Sequence, residues 1–358
     1  MSYVKLFDAH LTGTFSRAAK LLAEYPKSAA AMFMILEHEA SAQKVRNKWL
    51  KKGVSVPPLL IVSTTEKCNL ECKGCYSTTL CHENTTEMTR NRIERLLKEA
   101  SSVGCSAILL AGGEPLLATD WIYAVAEHKG LLGLVFTNGM LFNDERCRFF
   151  YYHRNLIPLF SIEGSPERTD DRRGIGVTGI IKSAMKELYK LKVPFGISIT
   201  TGSHNLGEVT DDNFLTSYIE LGCRLVIHVE YVQMGTGEEM LPLTPDENSR
   251  LSAYCDAKTR DSKAIVIAFP GNEEQYGGCL AAGRGFLHIS ASGLLEPCPF
   301  APYSDRDLTK LFFIEALNSP LLKAIRAEAN SLHEGIGGCS LRNRETWIRE
   351  IISGGRTL

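Results

Sequence analysis

The chain has almost no excess of either charge. Its 40 Lys and Arg against 41 Asp and Glu leave −1 at pH 7. That argues against a dominant electrostatic partner such as duplex nucleic acid. It also lacks a long apolar run. Spanning a bilayer takes about 18 or more apolar residues, and the nearest approach, positions 29–36, ends at Glu37. No transmembrane segment is expected. The N-terminus, Met1-Ser2-Tyr3-Val4-Lys5, has no apolar stretch of the signal-peptide kind. No internal repeat and no low-complexity tract is present. What remains is an ordinary globular composition, 44% apolar and 23% charged over 358 residues. That length accommodates a large core and two or more units.

Cysteine is the exception to this plainness, with eleven in the chain. An odd number fits a complete disulfide set badly. A reducing cytoplasm with metal-bound thiolates is the simpler account. Cys68, Cys72 and Cys75 stand together in Thr65–Tyr76 with the spacing C-x3-C-x2-C. They follow Leu59-Leu60-Ile61-Val62, which reads as a buried strand. The thiolates therefore gather at one end of a sheet. Soft thiolates select iron–sulfur clusters, zinc or copper(I). A four-iron cluster has four corners, and this loop fills three of them. The fourth iron would stay open to a ligand, as catalytic metals do. The alternative is a structural zinc site, although those usually use two ligand pairs. Cys81 and His82 lie near enough to complete one, so the spacing alone leaves both metals open.

Residues 1–52 read as two helices separated by Pro26. Phe15, Ala18, Ala19 and Leu22 keep a helical spacing, as do Met32, Ile35, Leu36 and Ala40. A basic stretch of Lys44, Arg46, Lys48, Lys51 and Lys52 closes them. The pattern predicts a packing extension over one end of the next domain, with a lid or membrane-surface helix as the alternative. From Pro57-Pro58 onward, strand and helix signals alternate. Strands are predicted at 59–64, 106–110, 132–137, 156–162, 194–200 and 224–232. Helices are predicted at 86–103, 118–129, 144–153, 177–192, 211–222 and 245–259. Such alternation makes a parallel sheet with helices outside, closed or partly closed into a barrel.

Catalytic groups of β/α barrels sit at the carboxyl ends of strands. Those ends hold Gly112-Gly113-Glu114-Pro115, Thr137-Asn138-Gly139 and Ser161-Ile162-Glu163-Gly164. They also hold Ser198, Thr200 and Thr201, then Glu230, Tyr231, Gln233 and Gly235. A Gly-Gly pair lets a backbone approach a ligand closely.

The cysteine triplet after a first strand, followed by Gly112-Gly113-Glu114, resembles the radical S-adenosylmethionine (radical SAM) enzymes. One position departs from their pattern: Gly74 stands where they usually carry an aromatic, and Tyr76 follows instead. The resemblance implies an α/β fold, a partial (β/α)6 TIM-type barrel over 53–262, with the N-terminal helical extension at 1–52. It also implies a 4Fe-4S cluster on Cys68, Cys72 and Cys75 that cleaves S-adenosylmethionine to a 5′-deoxyadenosyl radical. Gly112, Gly113 and Glu114 would bind the cofactor's amino group. Ser161 and Glu163 would meet its ribose, and Ser198 lies beside them. Arg173, preferred over Arg172, would pair with its carboxylate, since an arginine fork suits that group.

A second cysteine set lies further on. Cys279, Gly293 and Cys298 have the spacing C-x13-G-x4-C around a hairpin signal over 286–297. This resembles the opening of the SPASM and twitch auxiliary-cluster domains. The resemblance implies a small C-terminal α+β domain at 263–358, with an auxiliary iron–sulfur cluster, 4Fe-4S in kind, on Cys279, Cys298 and Cys339. Residues 307–330 read as a helix between the last two. Buried thiols packed in a core are the alternative. Cys105 and Cys223 read as core cysteines, and Cys81 could face the active site.

The implied activity is C–H activation of an unidentified substrate, a peptide or a small molecule such as a tetrapyrrole or lipid. Flavodoxin or ferredoxin would be the electron donor. No strand signals of a leader-binding module occur in the first 52 residues, which lowers the peptide reading. A non-enzymatic electron carrier is the other class, but it has no use for Gly112-Gly113-Glu114 or a six-unit barrel.

Overall fold

The computed structural model describes residues 3–80, 86–234, 241–271, 273–332, 339 and 341–354. Cys81, His82, Gly235, Gly337 and Gly338 lie outside them, and so does the reading of Cys81 as an active-site residue.

Six strands follow the predicted alternation: β1 (Leu59–Ser63), β2 (Ala107–Ala111), β3 (Leu132–Thr137), β4 (Leu156–Ile162), β5 (Phe195–Thr201) and β6 (Cys223–Glu230). Each pairs in parallel with the next. The connecting helices cover the outer face. In Arg90–Val103 the buried residues Ile93, Leu96, Leu97, Ala100 and Val103 fall on one stripe, the spacing of a helix pressed on a sheet. Both faces of the strands are thus covered, which is why they read as continuous apolar runs.

Three strands follow that the six-unit pattern did not contain. β7 (Ile265–Phe269) adds in parallel beside β6. β8 (Phe286–Ile289) adds in parallel beside β1, at the opposite edge. β9 (Leu295–Glu296) folds back antiparallel on β8, which is the predicted hairpin. The sheet order is β7-β6-β5-β4-β3-β2-β1-β8-β9. Among the described residues β7 and β9 are edges, so the barrel is partial and not closed.

Pro26 begins the helix Pro26–Leu50, after Tyr3–Leu21 and a short 3-10 turn. Proline suits that first position because its missing N–H would have had no partner there. These helices press Phe15, Leu22, Tyr25, Met32 and Ile35 against Ala107 and Leu132, the first residues of β2 and β3. They cover the end of the barrel opposite the cysteine loop, so they are a packing extension and not a lid over that loop. Arg46 also departs from the expected basic face. It is buried, donating to Asp8 at 2.7 Å, Glu39 at 2.6 Å and the Gly104 carbonyl at 2.7 Å. No helix among the described residues is long and apolar enough to cross a membrane.

The predicted helix over 307–330 is broken. The structure has Phe313–Ala316 and then Pro320–Ala327. Ser319 caps the second through a bond to Leu322 N, and Pro320 cannot continue the first because it has no N–H to donate.

Candidate active site

Cys68, Cys72 and Cys75 line a single cleft at the carboxyl ends of the strands. The cleft encloses about 1230 Å³, open solvent at its mouth included. Gly74, between the last two cysteines, has φ +61°. That left-handed conformation favours glycine, which explains why no aromatic occupies the position. Tyr76 supplies a ring one step later and meets Phe300 edge-on, with centroids 5.1 Å apart.

The Gly-Gly pair has a use that the sequence did not show. Its backbone is zipped to the cysteine loop: Thr64 N donates to Ala111 O at 2.9 Å, Gly113 N to Thr65 O at 2.8 Å and Glu114 N to Lys67 O at 2.9 Å. A Cβ at Gly112 would stand 2.6 Å from Thr65 O, and one at Gly113 would stand 2.0 Å from Lys67 O. Only glycine lets the two loops pack this closely. Both residues also line the cleft.

Glu114 is buried in the cleft wall. Its Oε1 accepts from Thr137 Oγ1 at 2.8 Å and Leu116 N at 3.0 Å, and its Oε2 accepts from Asn138 N at 2.8 Å. Burial still holds its pKa above the usual carboxylate value. Ser161 and Ser198 are register partners on β4 and β5, with hydroxyls 3.2 Å apart, and both line the cleft.

Glu163 stands behind the cleft surface. Its Oε1 accepts from Arg172 Nη1 at 2.6 Å and Arg173 Nε at 2.8 Å, while its buried Oε2 has no partner among the described residues. Both arginines line the cleft, so the structure brings forward the pair and not Arg173 alone.

Burial raises the pKa of the Cys68 and Cys72 thiols; Arg173 and Arg172 pull that of Cys72 back down. Buried thiolates need a cation beside them. Three thiols converging on one space, with an arginine pair at its edge, therefore suit a soft cationic iron–sulfur centre. Among the described residues no group of three or more His, Cys, Asp or Glu is gathered as a single metal ion would require. One zinc at about 2.3 Å from each sulfur would draw them within about 4 Å of one another.

The second cysteine set also comes together. Burial raises the thiol of Cys279 and that of Cys298 well above the ordinary value. Cys298 is raised further by Cys339 and Cys279, and Cys279 by Glu273 and Cys339. The three thiols thus lie near enough to sense one another's charge. Cys339 is not in a polar segment without a core, as its neighbours in sequence suggested: it packs against the main apolar cluster. Cys105 and Cys223 are core cysteines, as read, and Cys147 and Cys255 join them.

Four cleft residues received no role from the sequence. Asn138 donates from Nδ2 to Asn69 Oδ1 at 2.8 Å and lies 3.8 Å from Cys68 Sγ. Its position after β3 was the only signal. Arg172 ties the cysteine loop to β4 and β5. Glu230 and Tyr231 line the wall below β6.

A family model described as the radical SAM superfamily matches residues 62–218. The chain is 34% identical over 324 residues to the pre-heme d1 synthase of Dinoroseobacter shibae, covering 79% of this chain and 79% of that protein. It is 27% identical over 281 residues to the AdoMet-dependent heme synthase of Methanosarcina barkeri, covering 69% of this chain and 78% of that one. In fold it resembles SuiB of Streptococcus suis, solved bound to S-adenosylmethionine. There the TM-score is 0.64 at 17% identity, covering 80% of this chain and 72% of the other.

Proposed function

The chain belongs to the radical SAM superfamily, and on that premise we propose that it is an enzyme acting on a tetrapyrrole. One observation carries this: two of its relatives are named for heme and for pre-heme d1, macrocycles of one class. The cleft supports it by its lining: beyond the cysteines and the polar strand ends it is walled by Phe136, Val229, Val232, Phe269 and Phe300, which suits an apolar ring.

In this reading Cys68, Cys72 and Cys75 hold the 4Fe-4S cluster. When bound and reduced, that cluster supplies the electron that splits S-adenosylmethionine and yields a 5′-deoxyadenosyl radical. Glu114 accepts the cofactor's amino group while Gly112 and Gly113 keep its loop against the cysteines. Arg173, held by Glu163, faces the carboxylate. Ser161 and Ser198 face the ribose side. Phe136, Phe269 and Phe300 keep water from the reacting carbon. Cys279, Cys298 and Cys339, in a C-terminal unit over 263–358, hold an auxiliary iron–sulfur cluster. A flavodoxin or ferredoxin supplies electrons.

The test is anaerobic reconstitution with S-adenosylmethionine, a reductant and an iron-coproporphyrin. Formation of 5′-deoxyadenosine together with a mass change in the macrocycle is the expected result. Cofactor cleavage that leaves every tetrapyrrole offered unchanged, yet alters a peptide, would overturn the substrate class. Cleavage by the Cys68/Cys72/Cys75→Ala protein would overturn the cluster assignment.

A further inference from the structure

Three cysteines leave one corner of a four-iron cluster without a protein ligand. Beside Cys279, Cys298 and Cys339 the structure supplies a fourth group that no spacing pattern marked. Glu273 opens the 3-10 turn Glu273–Tyr276, which follows β7. It is buried, at 7% exposed.

The fold ties Glu273 to Cys279. Its Oε1 accepts from Leu280 N at 2.6 Å, and its carbonyl accepts from Gly278 N at 3.1 Å. The next amide, Ala281 N, donates to the Cys279 sulfur. Two consecutive N–H groups therefore hold the carboxylate and the thiol. Buried Arg284 fixes the turn between them. It donates to the carbonyls of Tyr276 at 2.6 Å, Gly278 at 2.9 Å and Cys279 at 2.6 Å. Backbone N–H groups meet the other two sulfurs as well: Phe300 N at Cys298, and Leu341 N and Arg342 N at Cys339. Donors aimed at sulfur favour the thiolate over the thiol.

The carboxylate neighbours all three sulfurs. Its charge acts on Cys279, Cys298 and Cys339 alike, and among the described residues it is the carboxylate that they share. The cysteines are packed on the main apolar cluster. Four anionic ligands in such a place repel one another unless a cation lies between them. Arg284 and Arg342 offset part of this repulsion. Among the described residues no three such groups close on a single metal ion. The object they suit is larger than one ion and cationic, as an iron–sulfur core is.

We infer that Glu273 is the fourth ligand of the second cluster, closing with a carboxylate oxygen the iron that Cys279, Cys298 and Cys339 leave open. The inference rests on the reading of those three cysteines as cluster ligands. The bond from Leu280 N orients the carboxylate, as metal-bound carboxylates are usually oriented, and a carboxylate has further lone pairs for iron. The charge of Glu273 also reaches Glu230 on the cleft wall. The second cluster thus stands behind that wall, closed to substrate and placed to exchange electrons.

The test isolates the second cluster in the full-length Cys68/Cys72/Cys75→Ala protein, reconstituted with iron and sulfide and then reduced. About four irons per chain are expected on cubane stoichiometry. Isotopically labelled imidazole is added, and the coupling of its nitrogen to the paramagnetic cluster is read by pulsed electron paramagnetic resonance. With Glu273 in place, no coupling should appear. With Glu273→Ala added, the iron is open, and the coupling should appear at unchanged iron content. Should that variant shed its iron, Glu273→Gln decides, because it leaves an oxygen for Leu280 N; imidazole should displace its neutral amide. Coupling of equal strength with and without Glu273 would reveal an iron already open and overturn the assignment. No coupling in a Glu273 variant that keeps its iron would overturn it too, since another residue would then be the ligand. No iron in the Cys68/Cys72/Cys75→Ala protein would overturn the second cluster and Glu273 with it, and would leave the tetrapyrrole reading standing.

Discussion

Arg172 and Lys73 hold each other by two bonds in opposite directions. Arg172 Nε donates to the Lys73 carbonyl at 3.0 Å, and Lys73 N donates to the Arg172 carbonyl at 3.0 Å. The same guanidinium reaches Glu163 at 2.6 Å and Thr200 at 2.8 Å. One side chain thus staples the loop between Cys72 and Cys75 to the ends of β4 and β5. Arg172→Gln should loosen that loop. The check is iron release to a chelator from reconstituted protein, expected roughly tenfold faster, since a hydrogen bond to a charged group contributes about 1.5–3 kcal/mol. Arg172→Lys should fall between, because it keeps the charge but loses the fork. Equal release rates would remove Arg172 from any role in holding the loop.

Glu114→Gln puts an amide where three donors now point. One of its terminal atoms can no longer accept, so a bond to Thr137, Leu116 or Asn138 is lost. We expect S-adenosylmethionine binding to weaken by about tenfold or more while iron content stays near the parent's, with a stability loss of about 1–3 kcal/mol. Equilibrium dialysis beside an iron assay measures both. Iron loss as complete as in a cysteine variant would make Glu114 structural only.

The Cys279/Cys298/Cys339→Ala protein should contain about four fewer irons per chain on cubane stoichiometry. It should still form 5′-deoxyadenosine, uncoupled from substrate. Unchanged iron content would return these three to the status of core thiols.

His228 is buried on β6, with Nδ1 3.0 Å from Thr201 Oγ1. Burial lowers its pKa to about 4. The unfolded value is near about 6.5, so the unfolded chain binds the extra proton first as pH falls. This group's contribution is complete above about pH 6.5 and is lost towards about pH 4, on the order of 3 kcal/mol in all. Glu230, raised to about 7, slopes the other way. The informative quantity is therefore the difference between the parent and His228→Gln in urea midpoint across that range. A gap that does not narrow on acidification would refute the assignment.

The sequence by itself determined the barrel strands β1–β6, their helices and the loop motifs between them. Those features are local. The period of apolar residues sets strand or helix, Pro26 and the glycines set the breaks, and C-x3-C-x2-C is readable from spacing alone. Only the tertiary structure decided which groups meet. Nothing local distinguishes Arg172 from Arg173, yet one reaches back to Lys73 and both share Glu163. Nothing local says that Gly113 must admit Lys67 O, that β7 and β8 join opposite edges of one sheet, or that Arg46 leaves its basic neighbours to be buried with Asp8 and Glu39. These are pairings between distant segments. They follow from where the chain returns and how far a side chain reaches, and a linear pattern records neither.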